Sequence, residues 1–135
     1  MSRDSTTRGA ASTDADDAMG RLTTHVLDAA NGRPGSNIRI ELVRLAGTQR
    51  VPVSDVRTNA NGRCDAPLLE GDALEAGVYE FTFHVGDYFR SQGAPLAEPA
   101  FLDQVVLRFG VASPDEHYHV PLLVSPYSYS MYRGS

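Results

Sequence analysis

Short alternating segments separated by tight turns are the feature that most constrains the fold of this chain. The clearest segment runs from Asn37 to Ala46, where Ile38, Ile40 and Leu42 alternate with more polar neighbours. A period of two predicts a half-buried strand with its apolar side chains on one face. Similar segments recur at residues 22–28, 51–58, 77–85, 102–111, 117–125 and 127–132. Since no long amphipathic helix alternates with them, the sequence predicts an all-β domain, a two-sheet sandwich of seven or eight strands.

Three local features refine this prediction. Residues 87–93 are expected to form one or two turns of helix, with Asp87 as the N-cap and Gly93 ending the helix. Pro52 is expected to place its strand at a sheet edge, because proline cannot donate a hydrogen bond to a neighbouring strand. His84 lies opposite the aromatic face of its strand and is expected to be exposed to solvent.

The size and charge of the chain bound the functions that it can have. The 135 residues suffice for one domain with its own core. A net charge of −5 and the lack of any basic run argue against a nucleic-acid partner. No segment approaches the ~20 apolar residues that span a bilayer. Residues 1–20 are polar and are predicted to be a disordered tail before a domain at 21–135.

The single cysteine, Cys64, cannot form an intramolecular disulfide, which favours a reducing compartment and predicts a cytoplasmic protein. A nucleophilic Cys64 is one alternative, but a small apolar residue after a turn is the simpler interpretation. His117 and His119 share a strand face, and such a pair could ligate a metal. No third ligand stands at a recognisable spacing, so neither a metal nor another cofactor is predicted.

His25 and Arg63 are further candidates for chemistry. His25 lies in the middle of a predicted strand, beside Thr23 and Leu27 on one face, and Arg63 follows an Asn-Gly turn. Each alone is more often a structural or surface residue. The segment from Tyr127 to Ser135 carries three tyrosines without a long polar tail, which is unusual because chain ends are commonly disordered.

Taken together, several motifs resemble the 5-hydroxyisourate hydrolase family, the transthyretin-related proteins of purine breakdown. The resemblance covers residues 21–135 and rests on separated motifs in the right order: TTHVLD (23–28), G-x-P (32–34), TNANGR (58–63), HYHVPLLVSP (117–126) and YRGS (132–135). It implies a transthyretin-like sandwich of about eight strands with one short helix. It also implies a homotetramer whose subunits line a channel that holds the active sites.

The resemblance also implies the residues of the site. The family's functional positions match the catalytic candidates His25, Arg63, His119 and Ser135. The matching substrate-binding candidates are His25, Arg63, Tyr132, Arg133 and Gly134. The sequence departs from the family at Met131, Gly35 and Asp103, none of which carries chemistry in the family.

The resemblance supplies a rival function as well, because the hormone carrier transthyretin shares the fold and the SPYSYS segment at 125–130. The carrier has Lys, Glu and Thr at the positions of His25, Arg63 and His119, and it continues beyond the YRGS position. These positions favour the hydrolase, a metal-independent enzyme that acts on a small molecule. A carrier would instead bind an aromatic ligand without converting it, and a purely structural sandwich would tolerate deletion of residues 132–135.

The residue types suit the hydrolysis of a ring lactam. Water needs a base whose pKa lies near the working pH, and histidine offers one. One imidazole can deprotonate water while another protonates the leaving nitrogen, and Arg63 can hold charge that develops on oxygen. Which histidine is the base stays open from the sequence; we expect His119 to activate water and His25 to move the proton.

Overall fold

The computed structural model describes residues 19–134, which form nine strands and one α-helix. The strands are β1 (Arg21–Asp28), β2 (Arg33–Pro34), β3 (Arg39–Ala46), β4 (Gln49–Arg57), β5 (Leu69–Glu70), β6 (Gly77–Phe83), β7 (Val105–Val111), β8 (His117–Val124) and β9 (Tyr129–Met131). The helix α1 (Val85–Ser91) follows β6, and a short 3-10 turn spans Gly71–Ala73.

The strands form two sheets, as the sequence predicts. The first sheet has the order β2-β1-β8-β9, with β5 also paired to β1, and the second has the order β4-β3-β6-β7. Every pairing is antiparallel except that of β1 with β8. The two-sheet sandwich is therefore confirmed. The sequence did not signal β2 and β5, because a strand of two residues is too short to display a period of two.

The core lies between the sheets and follows the alternation in the sequence. On β1, Leu22, Thr24, Val26 and Asp28 are buried, while the residues between them face outward and are only partly covered. The same alternation runs along β3 and β8. Chemistry-bearing side chains at odd positions of β1 and β8 therefore point away from the core.

A buried carboxylate connects the first sheet to the helix. The side chain of Asp28, at the end of β1, has no solvent exposure, and Tyr88 of α1 donates a hydrogen bond of 2.7 Å to it. The backbone N–H groups of Ala30 and Asn31 and the side-chain amide of Asn31 donate three more, at 2.8–3.1 Å. Burial alone would raise the pKa of Asp28, but these hydrogen bonds outweigh it and hold the pKa below its ordinary value.

The helix begins earlier than predicted. It spans Val85–Ser91, so Asp87 lies in its first turn and is not the N-cap; the cap position belongs to His84, whose side chain makes no capping bond. Burial of Val85, Tyr88 and Phe89 sets the start of the helix, because these side chains pack into the core. The predicted end is confirmed, since Gly93 follows the helix with φ of 85°.

The exposure of His84 was predicted wrongly. Its side chain is only 12% exposed, and Nε2 lies 2.7 Å from Oε1 of Glu41 on the adjacent strand β3. The outer face of the second sheet is polar, so His84 has a hydrogen-bonding partner there, and the side chain of Glu41 covers its ring. The edge position of Pro52 is confirmed, because β4 is the outermost strand of its sheet.

The predicted N-terminal tail lies almost entirely outside the described residues, as does Ser135. Gly20, at the predicted boundary, is buried, and its carbonyl accepts a hydrogen bond of 2.9 Å from the N–H of Gly71. A side chain at position 20 would overlap the backbone of Pro114 and Glu116. Across residues 19–134, no helix has the length and apolar character needed to cross a bilayer.

Replacing Tyr88 by Phe is expected to lower the free energy of unfolding by about 1–3 kcal/mol, because the buried Asp28 carboxylate loses one of its donors. Urea denaturation at neutral pH measures the change. Tyr127→Phe is the matched control, since that tyrosine is 67% exposed and its substitution should change stability by less than about 0.5 kcal/mol. Equal unfolding midpoints for the two variants would contradict the role of the Asp28–Tyr88 bond.

Candidate active site

The parallel pairing of β1 with β8 gathers three imidazoles on the outward face of the first sheet. Thr23 stands directly across from His119 in the register, and Arg21 stands across from His117. The ring centroids of His25 and His119 are 6.4 Å apart, and those of His117 and His119 are 6.5 Å apart. The two sequence-predicted catalytic histidines are therefore brought together from opposite ends of the chain.

A rigid loop brings Arg63 to the same place. The side-chain oxygen of Asn59 accepts hydrogen bonds from the N–H groups of Asn61 (2.9 Å) and Arg63 (3.2 Å), which closes the loop on itself. The carbonyl of Gly62 then accepts a bond of 2.8 Å from the N–H of Val26 on β1. This contact sets Arg63 beside His25 in a single antiparallel bridge.

Gly62 is a position where only glycine fits. Its φ is 78°, in the left-handed region, and a Cβ there would overlap the carbonyl oxygen of Val26. The close approach of the loop to β1 thus depends on the absence of a side chain at residue 62.

The C-terminal segment reaches the site through its backbone. The N–H of Gly134 donates a hydrogen bond of 2.6 Å to the carbonyl of His119, and the N–H of His119 donates one of 3.4 Å in return. A Cβ on Gly134 would lie 3.3 Å from Cδ2 of the His119 ring, so a larger residue would press on the imidazole. Tyr132 is 59% exposed beside this bridge. Ser135 lies outside the described residues.

The guanidinium of Arg133 is not brought to His25 or His119. It lies 4.1 Å from the ring centre of Tyr118, whose side chain points to the other face of β8, and its Nη2 donates to Oε1 of Glu116 at 3.0 Å. A second bond of 3.2 Å goes to the carbonyl of His117. In this structure Arg133 holds the C-terminal segment against β8.

A cleft of ≈ 430 Å³ opens beside these groups. That volume is within the usual range for small-molecule sites. His25 does not line the cleft itself, but its ring neighbours that of His119. The lining residues are Thr23, Thr24, Arg63, Cys64, Asp65, Ala66, Pro67, His117 and His119.

The environment keeps the imidazoles neutral. Burial lowers the pKa of His25 below its ordinary value, and the positive charge of Arg63 lowers it further. Burial also lowers the pKa of His119, with further contributions from Arg63, His25 and His117. For His117 the causes are burial and then Arg21 and Arg133. Neutral imidazoles at neutral pH have the lone pair that a general base requires.

These shifts also couple the histidines to stability. Their pKa values are lower in the folded state than in the unfolded chain, where histidine titrates near 6.5. As the pH falls below about 6.5, the unfolded chain takes up protons first, so the free energy of unfolding declines. Above that pH the imidazoles are neutral in the folded and the unfolded states, and the free energy of unfolding is not reduced by their protonation.

Cys64 lines the cleft, but its thiol is not activated. Burial raises the pKa of Cys64, and the neighbouring carboxylate of Asp65 raises it further. A reactive cysteine needs the opposite shift, because the thiolate is the nucleophile. Within residues 19–134, moreover, no group of three or more His, Cys, Asp or Glu side chains is arranged to hold a metal ion.

Sequence reasoning missed two residues that shape the site. Thr23 places its hydroxyl 2.8 Å from Nδ1 of His119 and 3.1 Å from Nε2 of His117. Its position on the same strand face as His25 was visible, but the pairing of β1 with β8 was not. Asn59 stands in the quoted motif TNANGR, and its loop-closing role follows from the tendency of asparagine to bond its own backbone two residues on.

The arrangement can hydrolyse a polar small molecule. The neutral imidazoles of His25 and His119 and the guanidinium of Arg63 lie in or beside one cleft, together with several other polar side chains. Imidazoles can deprotonate water and protonate a leaving group, and a guanidinium can stabilise charge that develops on oxygen.

Comparisons with known proteins agree with this chemistry. The model of the HIUase/Transthyretin family matches residues 22–134. A relative from Ralstonia nicotianae named 5-hydroxyisourate hydrolase is 63% identical over 117 residues, which cover 87% of this chain and 100% of that protein. The structure of (S)-allantoin synthase has a TM-score of 0.83 and 49% identity over 89% of this chain, which spans only 45% of that protein. Sea bream transthyretin in complex with thyroxine has a TM-score of 0.75 and 25% identity, over 84% of this chain and 94% of that one.

Replacing Gly62 by Ala is expected to lower the free energy of unfolding by more than about 1–2 kcal/mol. An alanine in the left-handed region costs that much by itself, and the loop must also move away from Val26. Gly47→Ala is the matched control: Gly47 has φ of 64° but no atom near its missing Cβ. Urea unfolding of both variants measures the difference. Equal losses of stability would show that the close approach at Gly62 is unimportant.

Replacing Arg63 by Gln is expected to raise the pKa values of both His25 and His119, because a positive charge that disfavours the imidazolium form is removed. Arg133→Gln is the control and should raise the pKa of His117 instead. Histidine resonances followed by NMR across a pH titration give each value separately. A shift of all three histidines in either variant would contradict this assignment of neighbours.

Proposed function

Because the chain belongs to the HIUase/Transthyretin family, we propose that it is a 5-hydroxyisourate hydrolase, which opens a ring of 5-hydroxyisourate to give 2-oxo-4-hydroxy-4-carboxy-5-ureidoimidazoline. The observation that carries this proposal is the meeting of His25, Arg63 and His119 beside one polar cleft. The Ralstonia relative, whose whole length this chain matches, bears the name of that enzyme.

In this proposal, His119 is the general base. Its Nδ1 is engaged by Thr23, which leaves Nε2 available to the cleft that the ring lines. A water molecule bound there gives one proton to Nε2 as its oxygen bonds to the carbonyl carbon of the substrate ring. The lowered pKa of His119 keeps the ring ready to accept that proton at neutral pH.

His25 moves the proton to the leaving group. The proton that His119 removed from water first passes to His25, which is neutral at rest. The resulting imidazolium of His25 gives that proton to the departing nitrogen when the carbon–nitrogen bond of the ring breaks, which leaves both histidines neutral. The separation of 6.4 Å between the His25 and His119 rings leaves room for a small reacting group to contact both. The proton taken from water is thereby returned to the substrate, and the enzyme ends unchanged.

Arg63 stabilises the oxygen that becomes negative when water adds. Its planar fork of N–H donors matches a carbonyl or urea-like edge, and the rigid loop of Asn59 and Gly62 holds its backbone in place before substrate arrives. A donor that needs no reorganisation contributes most to lowering the barrier.

The C-terminal segment closes one side of the site. Tyr132 and Gly134 contact the substrate beside His119, and Ser135, the next residue, contributes its hydroxyl to the reacting water. Arg133 binds substrate through its backbone, while its guanidinium anchors the segment to Glu116. The Gly134–His119 bridge supports this placement.

The proposed assembly is a homotetramer in which other subunits cover the outward face of the first sheet. The edge strands β7 and β9 are compatible with it, since Val106 is 48% exposed and Tyr129 is 45% exposed. Covering that face would exclude bulk water from the imidazoles. The single cysteine supports a cytoplasmic location, where disulfides are rare.

Freshly generated 5-hydroxyisourate should lose its ultraviolet absorbance faster with the protein than without it. His25→Ala, Arg63→Ala and His119→Ala should each slow the enzymatic reaction roughly 100-fold or more, because each removes a group that acts on the transition state. EDTA should not change the rate. Arg57→Ala is the control, since Arg57 ends β4 at the edge of the other sheet and its Nη1 donates to the carbonyl of Asn37.

Circular dichroism should show that each variant keeps the β fold. Wild-type protein that binds an aromatic ligand tightly but leaves 5-hydroxyisourate decay unchanged would favour the carrier instead. Full activity in any of the three site variants would contradict the role proposed for that residue.

A further inference from the structure

The hydroxyl of Thr23 lies between two imidazoles. Its Oγ1 is 2.8 Å from Nδ1 of His119 and 3.1 Å from Nε2 of His117. A threonine hydroxyl has one proton and two lone pairs, so it can donate to at most one of these nitrogens, and where it does so it accepts a hydrogen bond from the other. The three side chains thus form one hydrogen-bonded chain across β1 and β8.

Two proton arrangements satisfy this chain when both imidazoles are neutral. In the first, Thr23 donates to Nε2 of His117 and accepts from Nδ1–H of His119, which leaves a lone pair on Nε2 of His119. In the second, every bond is reversed, and Nε2 of His119 carries a proton. Each neutral ring has a single N–H, so the two rings have the same tautomer whenever the Thr23 proton points to one of them.

We infer that Thr23 and His117 are positioning residues that hold His119 in the tautomer whose Nε2 is free to accept a proton. This inference rests on the proposed function, which needs a base at that nitrogen. His117 accepts a hydrogen bond from the Thr23 hydroxyl at Nε2. Because the Thr23 proton is then used, the Thr23 oxygen accepts from Nδ1–H of His119. The family resemblance gave neither residue a catalytic role, and the sequence raised His117 only as a possible metal ligand.

The charges around His117 support this direction. A protonated His117 would donate from Nε2 to Thr23, which would free the Thr23 proton to point to Nδ1 of His119 and place the proton of His119 on Nε2. Burial and the guanidinium groups of Arg21 and Arg133 lower the pKa of His117 and keep it neutral. The neighbouring carboxylate of Glu116 is paired with Arg133 at 3.0 Å.

The tautomer can be measured without substrate. NMR of protein with ¹⁵N-labelled histidine, at pH 8, distinguishes a protonated ring nitrogen from one with a lone pair. We expect Nδ1 of His119 to be protonated and Nε2 to be free in the wild type. Thr23→Ser keeps the hydroxyl and should preserve this state. Thr23→Val and His117→Phe each break the chain at a different point, and both should shift His119 toward the form with a proton on Nε2, which imidazole favours in water.

Kinetics provide the second measurement. Thr23→Val should lower kcat on the order of 10-fold or more, with a smaller change in KM, because substrate still binds but the base is less often available. Thr23→Ser should recover most of the loss. Thr82→Val is the matched control, an outward-facing threonine on β6 of the opposite sheet, and should behave as wild type.

A wild-type His119 with its proton on Nε2 would overturn the inference. So would an unchanged His119 tautomer in both Thr23→Val and His117→Phe. Failure of the proposed function is recognised separately: wild-type protein would then leave 5-hydroxyisourate decay unaccelerated, whatever the tautomer in the free protein.

Discussion

The parallel pairing of β1 with β8 is the contact on which both the fold and the site depend. Eight consecutive residue pairs join these strands at the centre of the first sheet. Their inward side chains supply part of the core. The outward side chains of the same strands include those of Thr23, His25, His117 and His119. Stability and chemistry therefore share one backbone ladder, and the geometry of the imidazoles is as rigid as the sheet that supports them.

Around this ladder, the site depends on backbone contacts that only small residues permit. Gly62 lets the Arg63 loop touch β1, and Gly134 lets the C-terminal segment touch β8. The positive charge of Arg63 disfavours the imidazolium forms of His25 and His119. Together with burial, the same charge lowers the pKa values of His25 and His119, so in the proposed mechanism one residue both stabilises developing negative charge and prepares the base.

Much of the fold could be predicted from the sequence, because alternation in segments such as 37–46 is a local signal. The convergence of His25, Arg63 and His119 could be expected only from the family resemblance, since residues far apart in sequence carry no local sign of their contact. The N-cap at Asp87 and the exposure of His84 were predicted wrongly, because both depend on tertiary neighbours. Burial of Val85 sets the helix start, and Glu41 on β3 covers His84. Thr23 escaped notice for the same reason, because its partners lie 94 and 96 residues away.

That separation has a kinetic consequence. Closing a loop of this length is entropically expensive, and contacts so far apart in sequence tend to form late in folding. A chain still being synthesised lacks β8 until His117–Val124 have emerged, so a chain that stops before β8 cannot assemble the imidazole cluster. Catalytic competence therefore arrives only with the completed fold.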